Sequence, residues 1–402
     1  MKYKLSKFIM TNDSQSEIIQ NTKTGERMSV SEETLKLIKF FEKPISFEDV
    51  LSCFSVNKKE KLEILNFLKQ LLEEKILVPT ERTKEKYGVP VLADKVLVES
   101  PTKTFFSCPQ RNPFSIKDED IIFLGIPFDL GTTGYPGTRF GPDKIREISA
   151  DAFEYQADIF TGKSKGWFSL KKGKTILKNV KMADIGNVLL QVGENFEKFY
   201  NRITKIISMV IANRNFPVIV GGDHSCSYPV LRAINKQYGK EVSVIHIDAH
   251  TDCGEIIPRV ANNHGNVFTK VRKEKLIHHL YQFGAHGHLD KKIIDSNYFL
   301  FSLETLKRNG IEEAINSLEQ NRLYYLSLDI DVLDPAFAPG TGTPMANGMN
   351  TEMLFDILSL ITKKVKLVGC DLMETNPMLD RNNQTSMLAV SIMIHLLGEI
   401  FD

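Results

Sequence analysis

Two apolar runs, Val242–Ile247 and Leu323–Leu328, each break off into a dense acidic cluster: IDAHTD after the first and LDIDVLDP after the second. Continuous apolar runs of this length read as strands buried on both faces, which is the signature of a parallel sheet. Open parallel sheets place their ligands at the carboxyl ends of the strands, where both clusters fall. A third run, Phe216–Val220, leads into GGDHS, so three strand ends converge. The expected fold class is therefore α/β, with a parallel central sheet.

The converging donors are His224, Asp248, His250, Asp252, Asp329 and Asp331. Four carboxylates and two imidazoles exceed what one tetrahedral zinc ion uses. They suit two adjacent divalent ions of the manganese class, which accept oxygen together with imidazole. In an extended strand Asp329 and Asp331 would share a face, and so would Asp248, His250 and Asp252 if the backbone stayed extended. An isolated DxD is usually a solvated turn, and an isolated buried histidine is usually a satisfied core residue. Against that reading, all nine histidines lie at or after position 224, and both acidic clusters close apolar runs. Several carboxylates in one cleft would also repel without cations. A paired-metal hydrolase is the default chemistry for such a set.

GGDHS, DAHTD and SLDIDVLDP, in this order, resemble the ureohydrolases: arginase, agmatinase, guanidinobutyrase and their relatives. The resemblance extends from about Ile121 to the C-terminus. LGIPFDLGTTGYPGTRFGPDKIR (Leu124–Arg146) looks like the family's first strand and glycine-rich loop. ADIGNV matches a DxGDV-like strand, with Asn187 where Asp is usual, and APGTGTP and ETNP match later motifs. The family implies a three-layer α/β/α fold around a parallel sheet, and two Mn2+ ions. His224, Asp248, Asp252 and Asp329 would hold one ion; Asp248, His250, Asp329 and Asp331 would hold the other. A hydroxide between them would attack the guanidinium carbon, and Asp252 would pass a proton to the departing amine. Glu374 would pair with the guanidinium, a charge-assisted contact suited to a planar cation. His264 would shuttle protons to solvent. Urea and an amine would be the products, and a homo-oligomer is the family's usual assembly.

Departures from the pattern bear on substrate. Cys253 and Asn266 occupy variable positions, and the loop CGEIIPRVANN lacks the arrangement by which arginase grips a free α-carboxylate and α-amine. Free arginine is therefore not expected. GAHGH replaces an Arg-bearing segment common in relatives, which makes His286 and His288 candidate substrate contacts, although His288 reads better as a surface-loop histidine. Glu255 and Arg259 are candidate selectivity residues, equally readable as solvated charges.

The N-terminal part reads as a separate small domain over 1–85, joined by a linker over 86–118 to a catalytic domain over 119–402. Residues 3–12 and 17–30 read as strands. Ser31 and Ser46 are expected to cap two short helices, and 58–77 a longer amphipathic one with Leu62, Ile64, Leu65, Leu68, Leu71 and Leu72 near one stripe. This α+β pattern resembles the winged helix by which ribosomal-peptide maturation enzymes bind a leader peptide as an added strand. A DNA-binding winged helix or an oligomerisation appendage are the alternatives. Acidic residues balance the lysines here, so no basic face dominates. Joining the halves suggests an enzyme that converts arginine to ornithine within a precursor peptide, with leader binding raising its local concentration. The alternatives are a small-molecule amidinohydrolase of the agmatinase or guanidinobutyrase type, and a non-catalytic binding protein on the same scaffold.

The formal net charge is +1, from 51 basic and 50 acidic residues, which predicts neither nucleic-acid nor membrane attachment. No window reads as a transmembrane span and the start does not read as a signal peptide. Five scattered cysteines without a CxxC fit a reducing, cytoplasmic setting. Cys226 and Cys253 flank ligand motifs and are expected to pack rather than ligate.

Overall fold

The computed structural model describes residues 2–5, 9–11, 18–21, 27–54, 57–73, 76–79, 97–157, 161–256, 262–289, 293 and 295–402. The chain divides into two compact units, Met1–Val91 and Leu92–Asp402.

The larger unit is built on a nine-stranded sheet. In spatial order its strands are Tyr298–Phe301, Leu280–Phe283, Val242–Ile247, Leu323–Asp329, Lys366–Met373, Phe216–Gly221, Ile121–Ile126, Met182–Val188 and Val98–Glu99. Every neighbouring pair is parallel except the last, where Val98–Glu99 runs antiparallel to Met182–Val188. Alternate side chains of one strand enter different cores: Ile245 and Ile247 join Ile145, Leu354 and Ala389 on one face, while Val242 and Val244 join Phe199, Val230 and Phe268 on the other. Helices Gly141–Ala152, Thr351–Lys364 and Gln384–Ile400 cover the first face, and Phe196–Ala212 and Ser227–Tyr238 the second. The strands are mostly apolar because both faces are covered. This is the expected three-layer α/β/α fold.

Two of the motif landmarks turn out to be scaffold. Arg146 of the PDKIR segment is buried and grips Asp184 of ADIGNV through Nε–Oδ2 (2.8 Å) and NH2–Oδ1 (3.1 Å). Its guanidinium also lies 4.3 Å from the centre of the Phe105 ring. Asn187 accepts from Arg146 and donates Nδ2–H to Asp143 Oδ1 (2.9 Å). An aspartate at 187 would lose that donor and face the Asp143 carboxylate instead, so the amide is matched to its neighbours.

The stretch read as a linker over 86–118 is structured from Leu97 onward. Val98–Glu99 pairs with Asn187 and Val188, and Phe105 and Phe106 are fully buried with ring centres 5.3 and 5.5 Å from Phe123. Two adjacent phenylalanines among prolines and charges were the signal for insertion into the core. Residues 80–96 lie outside the described residues.

The smaller unit carries an antiparallel sheet ordered Ile45–Ser46, Lys2–Leu5, Leu77–Pro79, and a second antiparallel ladder of Ile9–Thr11, Ile18–Asn21 and Arg27–Ser29. The strands expected over 3–12 and 17–30 are thus shorter pieces, and the segments between them lie outside the described residues. Its helices are Glu32–Lys39, Phe47–Ser52 and Lys58–Glu73. Ser31 and Ser46 cap the first two by accepting from Thr34 N–H (3.2 Å) and Asp49 N–H (3.1 Å). Asn57 and Glu60 form a reciprocal capping box at the third. Ile38, Phe41, Val50 and Leu68 are its fully buried core. Leu62, expected near the apolar stripe, is instead 57% exposed, and Phe67 packs on the core. Position 62 lies on the opposite side of the helix from Leu68 and Leu71.

Candidate active site

The donors come from the carboxyl ends of four adjacent strands: Val242–Ile247, Leu323–Asp329, Lys366–Met373 and Phe216–Gly221. Asp248 follows the first, Asp329 ends the second, Glu374 follows the third, and His224 lies just past the fourth. The clusters do not continue as extended strands, however. Asp331 sits in a 3-10 turn, Ile330–Val332, whose first N–H groups are met by Asp329: Asp331 N–H donates to Asp329 Oδ1 at 2.8 Å. Asp252 and Glu374 have φ of 50° and 65°, a left-handed backbone that costs about 1–3 kcal/mol per non-glycine residue and that concentrates at functional sites. The sharp turn at GGDHS needs Gly222, where a Cβ would overlap the Phe128 carbonyl oxygen.

His224 Nδ1 lies 3.2 Å from Asp248 Oδ2, 3.4 Å from Asp252 Oδ2 and 3.1 Å from Asp329 Oδ2. His250 Nδ1 lies 3.0 Å from Asp331 Oδ2 and 3.5 Å from Asp248 Oδ1. All six sequence candidates are thus brought together in two overlapping sets that share Asp248. Burial pushes the carboxyls of Asp252, Asp329 and Asp331 upward, and neighbouring carboxylates add to the rise. For Asp248 burial acts the same way, but contacts with His246, His224 and His250 outweigh it and hold the group well below the usual range. His250 is pushed up to about 12: burial opposes its charge, and Asp248 and Asp331 override burial. Four buried carboxyls packed around two imidazoles repel one another, and a divalent cation supplies the positive charge that relieves this. The donor set therefore fits metal ions.

The residues that aim these donors were not legible as motifs. His224 Nε2 lies 2.8 Å from Ser327 Oγ, and Ser327 donates to Asp371 Oδ1 at 2.7 Å. Asp371 also accepts from Ser227 (2.8 Å) and Tyr325 (3.1 Å). With Nδ1 turned to the carboxylates, this network assigns the ring proton to Nε2. His246 Nε2 contacts Asp248 Oδ2 at 2.8 Å, and its ring packs 4.1 Å from Phe268. Lone polar residues inside apolar strands, Ser327, Asp371 and His246, were the available signal.

Glu374 divides its two oxygens. Oε1 accepts from His224 N–H at 2.9 Å and lies 2.9 Å from His264 Nδ1, while Oε2 is buried without a hydrogen-bond partner among the described residues. Thr133 N–H donates to His264 Nε2 at 3.0 Å, which favours the neutral ring with its proton on Nδ1. Glu374 drives the same imidazole up to about 9 against the effect of burial. Thr133 Oγ1, 2.8 Å from the same Nε2, can donate to the neutral ring or accept from the charged one. A cavity of 580 Å³ opens over the cluster, lined by His250, Asp252, His264, His286, His288, Asp329, Leu300, Glu304 and Met345 among others. Among the described residues His286 Nε2 is buried there without a partner, while His288 is exposed. Glu255 is exposed and is not among the cavity's lining residues, and Arg259 lies outside the described residues.

Residues 119–398 match the arginase family. The chain is 32% identical over 290 residues to an agmatinase of Bacillus anthracis, a match covering 70% of this chain and 92% of the relative. It is 30% identical over 303 residues to a guanidinobutyrase of Pseudomonas aeruginosa, covering 71% of this chain and 88% of the relative. A solved structure of a hypothetical agmatinase from Burkholderia thailandensis aligns with a TM-score of 0.65 at 27% identity, over 74% of this chain and 90% of that one. With a strand order that gathers these donors, and with relatives that are hydrolases of guanidino compounds, the chain belongs to the arginase family and is an amidinohydrolase, an enzyme that breaks C–N bonds of linear amidines.

Proposed function

We propose that the enzyme hydrolyses the guanidinium group of a linear guanidino compound, releasing urea and a primary ammonium, with two manganese ions held by His224, Asp248, His250, Asp252, Asp329 and Asp331. The observation that carries this reading is Glu374, whose Oε1 contacts the His224 N–H and the His264 ring while its buried Oε2 has no hydrogen-bond partner among the described residues. A buried carboxylate oxygen without a donor is costly, and a planar cation that brings N–H groups satisfies it. When bound, the ion pair supplies an activated water at neutral pH and clamps developing negative charge. Glu374 Oε2 accepts from the guanidinium and orients its carbon toward the cluster. Asp252 takes the proton released as water adds. The carbon–nitrogen bond to the alkyl chain then breaks, and that nitrogen leaves as the amine once protonated. His264, on the cavity wall beside Glu374 and Thr133, exchanges protons with solvent.

The agmatinase and guanidinobutyrase relatives favour a small guanidino compound as substrate. Among the described lining residues away from the donors, Glu304 is the one carboxylate, and there is no Lys or Arg. That lining suits a cationic or neutral tail better than a carboxylate.

A second reading, arginine-to-ornithine conversion in a leader-bearing peptide, is favoured by the first unit. It lies outside the 119–398 match, has its own core, and its sheet ends on the short edge strands Ile45–Ser46 and Leu77–Pro79, to which an extended peptide can add. The deciding experiment measures urea release by the manganese-loaded full chain on agmatine, 4-guanidinobutyrate, free arginine and an arginine peptide carrying a leader. Turnover of agmatine at a rate matching or exceeding the peptide supports the first reading. Turnover of the peptide alone replaces it with the second. No urea from any of them sinks the proposed chemistry.

A further inference from the structure

A second cluster of metal-ligating side chains lies away from the catalytic donors: His278, His279 and Glu319 present donor atoms within 4.8 Å of one another. His278 and His279 stand immediately before strand Leu280–Phe283, and Glu319 lies between helix Ile311–Asn316 and strand Leu323–Asp329. Both strands run parallel to Val242–Ile247, which separates them. The three residues therefore gather at the amino ends of the sheet, and the catalytic donors gather at the carboxyl ends, a strand length away.

Adjacent residues of an extended chain point to opposite faces. Here a bend at His278 brings the two rings to a centroid distance of 4.0 Å. His279 Nδ1 is 3.4 Å from Glu319 Oε1, and His278 Nε2 is 3.8 Å from Glu319 Oε2. Donors at roughly 2.0–2.2 Å from a tetrahedral zinc ion stand roughly 3.3–3.6 Å apart, so the gap is ion-sized. Burial, with His278 adding, holds the His279 pKa below its ordinary value, leaving the ring unprotonated and ready to ligate at neutral pH. Tyr281 Oη is a further polar neighbour, 3.3 Å from His279 Nδ1. The competing cation is Arg322, which pairs with Glu319 through Nε. Arg322 also reaches Glu241 Oε2 at 3.0 Å through NH1, so it keeps a carboxylate partner when Glu319 is taken.

We propose that His278, His279 and Glu319 form a second divalent-cation site of the zinc class, separate from the catalytic pair, with solvent completing the coordination. An ion there ties the start of the Leu280–Phe283 strand to the turn that leads into Leu323–Asp329.

The test titrates the manganese-loaded full chain with Zn2+ against a chromophoric zinc indicator while manganese retention is measured. Wild type is expected to take up one zinc per chain without losing manganese. His279→Ala and Glu319→Gln should weaken that uptake at least ten-fold, with urea release unchanged in His279→Ala. Arg322→Gln, which frees Glu319, should tighten it. Zinc uptake of equal strength in wild type and His279→Ala overturns the site, and so does uptake matched in every variant by an equivalent loss of manganese.

Discussion

Glu374 and Ser327 show how single atoms of this site are assigned. One oxygen of Glu374 is occupied by His224 N–H and the His264 ring, leaving the other for a ligand. Glu374→Gln keeps the shape but replaces the open acceptor's charge, and kcat/KM should fall by about 10²–10³-fold, the scale of one preorganised electrostatic contact. Metal content should be unchanged; steady-state kinetics with metal analysis checks both, and an unaffected kcat/KM would remove Glu374 from the substrate contact. Ser327→Ala frees the Nε2 end of His224, which Ser327 now holds at 2.8 Å. Loss of such a support weakens metal binding by roughly 10–100-fold, measurable by competition with a chelator. Asp329→Asn should abolish urea release, since Asp329 touches both His224 and the turn carrying Asp331. The clustering of the six candidate donors was legible in the chain, because they lie at or just past the ends of buried strands. Their supports were not: Ser327 and Asp371 belong to neighbouring strands 44 residues apart, and nothing local marks them as partners.

At the scale of elements, the Arg146–Asp184 pair locks helix Gly141–Ala152 onto strand Met182–Val188. Both side chains are essentially inaccessible. Arg146→Met leaves Asp184 buried without its cation, and the expected loss is about 3–5 kcal/mol. Chemical denaturation of the metal-loaded protein tests this, and a change below about 1 kcal/mol would mean the pair is replaceable. The turns after the strands carry a different burden. They bend Asp252 and Glu374 into left-handed backbone, which the strand pattern alone did not foretell. Extended geometry would have spaced the acidic side chains along one face; the 3-10 turn at Ile330–Val332 gathers them into a cup instead. The N-terminal helices were readable from their caps, since a serine oxygen accepting an N–H three residues on is a purely local event.

For the whole molecule, the two units set separate expectations. Chelation should lower thermal stability of the larger unit, and restoring Mn2+ at about one hundred times its Kd should return about 2.7 kcal/mol per site. A melting temperature indifferent to manganese would argue that the buried carboxyls need no ion. If the first unit recruits a peptide, removing residues 1–91 should cost activity on a leader-bearing peptide at least ten-fold and on agmatine less than two-fold; equal losses would make that unit structural. What the chain determined by itself was the parallel sheet, the gathering of the six candidate donors and the caps, because burial on both faces, strand ends and helix starts are written in contiguous residues. Only the tertiary structure decided that Phe105 and Phe106 complete the core, that Ser327 and Asp371 aim His224, that one oxygen of Glu374 stays open, and that His278 and His279 meet Glu319. Each of those depends on which strands lie side by side, and strand order is set by packing between residues far apart in the chain.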